Sequence, residues 1–455
     1  MRPSSLSGLN GNALLIGQFL TTAKHRTLPS NVTEAAKRCL VDWTGVAIAG
    51  AREPVAQATA RYGGFDNGPP PLFGKADPQT AALVWGAAGH ALDFDDTHIP
   101  TDSHLSATTW PTIIALASDV ADGTLLLRAF ASGYEVAAKL SGRRLGFSLQ
   151  FRMFHPTSVI GRMAAASAAA VLLELNAEQC AHALAMSLTQ ASGLRRSMGG
   201  MGKPLQVGRV AMDGVICAQL ARAGAESTLS LINPQGGFDL AFVQDGSAQL
   251  ARLQESSLGI DWAVLRTSYK PYACLHGIHP SIDAARHVAA QMASVGVTAL
   301  DIKKIRIYVA PGVKKVAKFT QPETPLQAKF SVVYCVALGL CGRAVGIDDF
   351  LPDVLADPLM SKLGTLSEVC PEEGRKMLDS AVTIELVNGE QLRGETRMSK
   401  GHPGNPMNRQ EIDNKFLDLT TPTQGSNASS MLNGLWNIDA PDGVKRLQNL
   451  FRNCI

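Results

Sequence analysis

The sequence predicts a mainly α protein: a large all-α helical domain, a smaller α+β domain, and C-terminal helices that return to the first. Three observations carry that reading. From residue 12 to about 268, apolar residues recur at helical spacing in one segment after another. Between residues 302 and 392 the pattern changes to strand-like alternation around an Asn-Gly turn. Aromatic residues make up only 6% of the chain while Gly alone contributes 42 residues, and small residues let helices approach closely. The 455 residues exceed what one compact core organises, and 45% hydrophobic with 18% charged residues marks a globular chain. The predicted domains are 1–268, 269–403 and 404–455.

The elements follow in order. A helix capped by Ser30 or Asn31 runs to Ala49, with Ala35, Leu40, Trp43 and Val46 on its apolar side. Further helices are expected over Gln79–Asp93, Ser106–Val120, Leu125–Leu140, Pro156–Leu175, Ala177–Leu188 and Pro204–Ala223. Past residue 269, Ile302–Val309 reads as a half-exposed strand, and Val382–Leu392 as a hairpin turning at Asn388-Gly389. Helices Pro280–Ala293 and Leu326–Leu340 lie among these strands. Helices Asn408–Leu417, Ser429–Trp436 and Gly443–Phe451 close the chain.

Charge and cysteine usage exclude several classes. The 42 Lys and Arg against 39 Asp and Glu give a formal charge of +3, too small a field to gather nucleic acid or an acidic membrane. The eight cysteines, Cys39, Cys180, Cys217, Cys274, Cys335, Cys341, Cys370 and Cys454, form no CxxC pair. Scattered thiols of this kind suit a reducing compartment and argue against zinc ribbons and iron–sulfur clusters. Ala13–Leu20 is a short apolar run with no cleavage site after it, and Met163–Leu173 falls short of the ~18 residues of a membrane span. A cytoplasmic protein is expected.

The candidate chemistry is concentrated in a few segments. His155-Pro156, Lys203-Pro204 and His279-Pro280 each put a basic residue before a proline at a helix start. A cation there opposes the helix dipole, and stability alone would favour Ser, Thr or Asp. The same dipole keeps a nearby imidazole neutral and offers N–H groups to anions, so converging starts would form a pocket for a small polycarboxylate. The segment Asp93-Phe-Asp95-Asp96-Thr97-His98, followed by Asp102-Ser103-His104, is the densest polar patch. Asp93 is placed to orient an imidazole or hold a substrate hydroxyl, and His104 to move protons. A Mg²⁺ grip by Asp95 and Asp96 is disfavoured because Ile99 stands where a DDxxD pattern needs its second acidic site. No metal and no cofactor are predicted. Gly199–Lys203 is not a phosphate loop, since Ser197 and Pro204 occupy the positions of its first Gly and its Ser/Thr. There is no GxGxxG after a strand and no GxSxG elbow, so redox and serine-hydrolase functions have no support. His276 and His279 stand at i, i+3 with no third metal ligand evident nearby.

At these segments the sequence resembles the MmgE/PrpD family over nearly its whole length. The marks are His90-Ala-Leu-Asp-Phe-Asp-Asp-Thr97, Phe154-His-Pro-Thr-Ser-Val159, Gly202-Lys-Pro-Leu-Gln-Val-Gly208, Lys270-Pro-Tyr272-Ala-Cys, His279-Pro-Ser-Ile-Asp-Ala284, Ala328-Lys-Phe-Ser331 and Gly401-His-Pro-Gly-Asn-Pro406. The family includes 2-methylcitrate dehydratases, cis-aconitate decarboxylases and an iminodisuccinate epimerase. The resemblance implies a cofactor-free homodimeric enzyme with its active site between a helical and an α+β domain. It also implies a pocket resembling Asp93, Thr97, His104, His155, Lys203 and Lys270. Two departures weigh against decarboxylation: Leu275 stands where decarboxylases place a His, with His276 one residue further on, and Phe319 where they place a Tyr.

The implied chemistry is an enolate-like anion beside a carboxylate, leading to loss of water from a small di- or tricarboxylic acid. Decarboxylation and epimerisation are the alternatives, and a silent carboxylate-binding or scaffold protein is the non-enzymatic one. In this reading Lys203 and Lys270 hold carboxylates, and His104 and His155 exchange protons. Asp93 fixes an imidazole, while Tyr272, His276 and His279 line the α+β side.

Overall fold

The computed structural model describes residues 11–117, 122–142 and 144–452, and Cys454 lies outside them. It is mainly α and divides into two compact units. The first comprises the chain up to Ala91, Asp95–Ser268, and everything from Asn408; the second comprises Leu92–Phe94 and Tyr269–Met407. Leu92–Phe94, which the sequence places in the helical domain, falls in the second unit.

The first unit begins with α1 (Gly11–Thr21), α2 (Ser30–Gly50), α3 (Pro54–Tyr62), α4 (Pro78–Ala91), the two-residue strand β1 (Thr97–His98) and α5 (Leu105–Leu116). It continues through α6 (Gly123–Ser141), α7 (Leu145–Phe151), α8 (Pro156–Leu172), α9 (Ala177–Thr189), α10 (Gly202–Arg222), α11 (Phe238–Phe242) and β2 (Thr267–Ser268). Strand β1 pairs antiparallel with β2, setting Thr97 opposite Ser268. α8, rich in Ala, is buried along its whole length, as a helix without a polar face must be. Its one long charged residue, Arg162, is neutralised by Asp213 of α10.

Close approach of α4 and α10 follows from two glycines. A Cβ at Gly86 would lie 2.8 Å from Gly208 Cα, and one at Gly208 would collide with the Leu83 carbonyl oxygen. Only glycine permits this backbone contact, which sets the last turn of α4 near the first turns of α10.

Several boundaries differ from expectation. Ser30 is the first helical residue of α2, preceded by Pro29, and no side chain caps the helix. The helix expected over Ser106–Val120 ends at Leu116, and residues 118–121 lie outside the described ones.

The second unit contains α12 (His279–Ser294), β3 (Ile302–Val309), α13 (Pro311–Val316), α14 (Pro325–Ala328) and α15 (Val332–Leu340). It continues with α16 (Pro352–Leu355), α17 (Pro358–Thr365), β4 (Ser367–Pro371), β5 (Ser380–Leu386) and β6 (Gln391–Thr396). The strands form one sheet in the order β4-β3-β5-β6, parallel only between β3 and β4. Ile305, Ile307 and Val309 of β3 and Val382, Ile384 and Leu386 of β5 are buried at alternate positions, as a sheet with one covered face requires. α12 packs against β5, β6 and α15.

The hairpin turns at Asn388-Gly389, where Gly389 has φ +88°. The helix expected over Leu326–Leu340 is two helices, because the Ser331 hydroxyl accepts the Tyr334 N–H at 3.2 Å and starts α15 anew. Strand β4 was not foreseen; it is a five-residue edge strand without the alternating burial that sequence patterns report.

The chain then re-enters the first unit as α18 (Arg409–Gln424), α19 (Asn427–Trp436) and α20 (Gly443–Leu450). Phe416 of α18 packs on Gly45 of α2, and the Lys415 ammonium meets Asp42 at 2.7 Å.

Candidate active site

Three helix starts of the first unit bring basic residues together. His104 and His155 are the N-cap residues of α5 and α8, and neither side chain caps its helix. Lys203 lies in the first turn of α10, one residue inside the helix. A hydrogen bond from the His104 N–H to the Thr157 hydroxyl, 3.1 Å, ties the start of α5 to that of α8. His90, in the last turn of α4, completes the group. Its ring centroid is 4.6 Å from that of His104 and 5.8 Å from that of His155.

Asp95 organises two of these imidazoles. Its buried Oδ2 lies 2.8 Å from His90 Nδ1 and 2.9 Å from His104 Nδ1. Burial pushes the Asp95 carboxyl up, but the two imidazoles outweigh it and hold the group well below the usual carboxylate range. An ionised carboxylate only accepts, so both Nδ1 atoms carry the proton and the bare nitrogens of the neutral rings are their Nε2 atoms. His155 is anchored the same way by a different partner, its Nδ1 lying 2.9 Å from Gln206 Oε1.

Burial is also the first cause that lowers the basicity of His90, to about 4, with Asp95 opposing and Lys203 and His104 assisting. Burial and then the charge of Lys203 hold His155 well below the ordinary histidine value. These are buried, neutral bases beside a cation.

The ligand atoms of His90, Asp95 and His104 lie within 4.8 Å of one another, the one such His/Cys/Asp/Glu group among the described residues. His90, Asp95 and His104 therefore have the spacing of a group that could hold a metal ion as well as one that exchanges protons. Asp96 is fully buried and held well above the carboxylate range, by burial and then by Asp42.

Asp93, Lys270, Tyr272, His276 and His279 lie in the second unit, and Thr97 in the first. Asp93 was expected to orient an imidazole. It belongs to the second unit with φ +52°, and its Oδ1 receives the Lys270 ammonium at 2.6 Å. The same Nζ donates to the Asp93 carbonyl at 2.8 Å, so two N–H groups of Lys270 are engaged within the protein. Lys329 donates to the Leu92 carbonyl at 2.7 Å. These two buried lysines hold Leu92–Phe94 to the second unit, which explains that segment's assignment.

Thr97 lies on β1, its hydroxyl buried with no hydrogen-bond partner among the described residues. In the second unit His276 stacks on His279 at 4.9 Å, and His279 Nε2 lies 3.2 Å from the Cys274 carbonyl. Tyr272 meets the His279 ring edge-on at 5.2 Å and donates to Asp283 at 2.5 Å. Burial, then Asp283, raises the Tyr272 phenol. His279, the third basic helix start, therefore belongs to this aromatic group and to α12.

Comparison with known proteins identifies the scaffold. Residues 15–251 match the MmgE/PrpD N-terminal domain, and residues 272–433 match the MmgE/PrpD C-terminal domain. The chain belongs to the MmgE/PrpD family. This MmgE/PrpD protein is similar to the cis-aconitate decarboxylase of Homo sapiens, 27% identical over 94% of the chain and 88% of the relative. It is 26% identical to the cis-aconitate decarboxylase-like protein oryM of Aspergillus oryzae, over 89% of each chain. It is 25% identical to the cis-aconitate decarboxylase of Aspergillus terreus, over 86% of each. Among the family's marks, His90 and Asp95 stand in the His90–Thr97 segment, whose organising role the sequence reading gave to Asp93. Gln206 was missed, although it lies three residues from Lys203 and so shares its helical face.

Proposed function

We propose that this MmgE/PrpD protein is a cofactor-independent lyase. It removes a proton α to a carboxylate of a small di- or tricarboxylic acid and expels water. The observation that carries the reading is the set of three imidazoles, buried at His90 and His155 and half-buried at His104, each with Nδ1 within 3 Å of a protein acceptor, gathered with Lys203 where α5, α8 and α10 begin.

The roles follow from the anchors. The Nδ1 of His155 faces a neutral amide, and the charge of Lys203 disfavours its protonation, so it is the base. His104 faces the Asp95 carboxylate, which supports an imidazolium, so it is the acid that protonates the departing hydroxyl. Lys203 and the N–H groups at the start of α10 receive a substrate carboxylate and stabilise the enolate-like charge. Thr97 offers a hydroxyl with no hydrogen-bond partner among the described residues.

Decarboxylation of a cis-aconitate-like acid is the second reading, favoured by the names of the relatives. There the same acid would protonate the carbanion left by CO₂. It ranks second because Phe319 has no ionisable group and Leu275 stands where a decarboxylase-like His is expected. The family resemblance also supports a homodimer, which light scattering would test.

The deciding experiment is NMR of a di- and tricarboxylate panel in D₂O with the purified protein. Deuterium entering at the α-carbon of recovered substrate, together with loss of water to give the unsaturated acid, supports the proposal. Loss of CO₂ transfers the assignment to the decarboxylase reading, and inversion at the α-carbon to an epimerase. Ligand-induced thermal stabilisation with neither exchange nor turnover identifies a binding protein.

A further inference from the structure

We infer that Gln206 is a positioning residue that fixes His155 in the tautomer with the proton on Nδ1, presenting Nε2 as the reactive nitrogen. The inference rests on the proposed proton-transfer role of His155 and assigns the group that prepares it.

The argument is a chain of donors and acceptors in the first unit. The Ser197 hydroxyl donates to the Leu194 carbonyl at 2.7 Å, so its oxygen accepts from whatever approaches it next. Gln206 Nε2 approaches both, 2.8 Å from Ser197 Oγ and 3.2 Å from the Leu194 carbonyl oxygen. A carbonyl only accepts, so the atom facing it is the amide nitrogen. The orientation of the carboxamide is thereby determined by its protein partners. Oε1 then faces His155 Nδ1 at 2.9 Å, and because an amide oxygen only accepts, Nδ1 carries the proton. His155 Nε2 has no hydrogen bond to the protein among the described residues. An imidazole in water prefers the opposite tautomer, so the environment must impose this one.

The backbone keeps the parts in place. Phe154 and Leu194 form an antiparallel bridge, with His155 N–H on the Gly193 carbonyl at 3.0 Å and Arg195 N–H on the Met153 carbonyl at 2.8 Å. Gly193 adopts φ +118°, and a Cβ there would collide with the Ser158 hydroxyl and crowd Gln206 Oε1 at 3.1 Å. The loop that orients Gln206 is thus docked on the strand-like segment that carries His155. One face of α10 supplies both the cation, Lys203, and the amide three residues on.

The test uses the full chain labelled with ¹⁵N-histidine, His155 being assigned by its loss in His155→Ala. Wild type should show His155 with Nδ1 protonated and Nε2 bare. Gln206→Met removes the acceptor with little change in volume and should move His155 toward the Nε2-protonated tautomer. Gln206→Glu keeps an acceptor and should restore Nδ1–H. Substrate turnover should follow: kcat falls about ten- to a hundredfold in Gln206→Met with KM nearly unchanged, and part of it returns in Gln206→Glu. Wild-type His155 found in the Nε2-protonated tautomer overturns the inference, whether or not Gln206→Met folds. So does an unchanged Nδ1–H signal in Gln206→Met. A tautomer that switches while kcat stays constant upholds the positioning by Gln206 and instead removes His155 from the proposed chemistry.

Discussion

Both units bury basic side chains, but they treat them in opposite ways. In the first unit His90, His104 and His155 use one ring nitrogen each on a protein acceptor, and burial lowers the basicity of His90 and His155. In the second, Lys270 and Lys329 direct their ammonium groups onto Asp93 and onto the carbonyls of Leu92 and Asp93. Neutral bases retain protons to give and take, whereas ammonium groups held by internal acceptors fasten the chain. Under the proposed function, the contrast separates residues that move protons from residues that fasten the chain, although they look alike in sequence.

The comparison breaks first where an architectural pair is cut. Lys270→Met leaves the Asp93 carboxylate buried without its cation and should cost about 3–5 kcal/mol of stability. Pairing it with Asp93→Asn should recover much of that loss in thermal denaturation. A Lys270→Met protein with unchanged stability would mean that this lysine is not a fastening.

Next in size come the chemical residues. His155→Ala and Lys203→Ala should each lower turnover about 10²–10⁴-fold while leaving the melting transition close to wild type. Equal damage to stability and turnover would erase the distinction between the two regions.

A smaller effect sharpens the electrostatic half of the contrast. His90 is lowered to about 4 in the folded state, so between roughly pH 4 and 6.5 the unfolded chain binds more protons. Its contribution is therefore complete above pH 6.5 and lost as pH falls toward 4. Burial raises Asp102 to about 7, which gives the opposite sign: between roughly pH 4 and 7 the folded protein binds more protons, and stability declines as pH rises. In Asp102→Asn that opposing slope should vanish, so denaturation midpoints should climb more steeply from pH 4 to 7 than in wild type. An identical slope would contradict the neutral, buried Asp102 carboxyl. Exhaustive chelation should leave turnover unchanged, the smallest effect of the series; loss restored by added metal would reassign His90, Asp95 and His104 to an ion.

Much of the helical body was legible because its elements are long and apolar on a regular period, as with α8 and α10. Helix starts marked by Pro after His155 and Lys203 were legible for the same local reason. What was not legible depends on distance in space. Asp93 and Asp95 are two residues apart and equally acidic. Only the left-handed turn at Asp93 and the folded positions of Lys270 and His90 send one carboxylate to a lysine and the other to two imidazoles. His98 stands in the same polar segment as Asp95, yet it lies 2.9 Å from the Thr101 hydroxyl and edge-on to Tyr134 at 5.4 Å. Lys329 stood in a quoted motif with no apparent task until the Leu92 carbonyl was found 2.7 Å away.

The central claim is that the anchored imidazoles of the first unit move a substrate's α-proton. The most direct test follows exchange of the α-hydrogen for solvent deuterium in recovered substrate, alongside formation of the dehydrated product, in wild type and in His155→Ala at saturating substrate. The account expects uptake in wild type and its near-complete loss in the variant, with substrate still bound. Undiminished uptake by His155→Ala would contradict it.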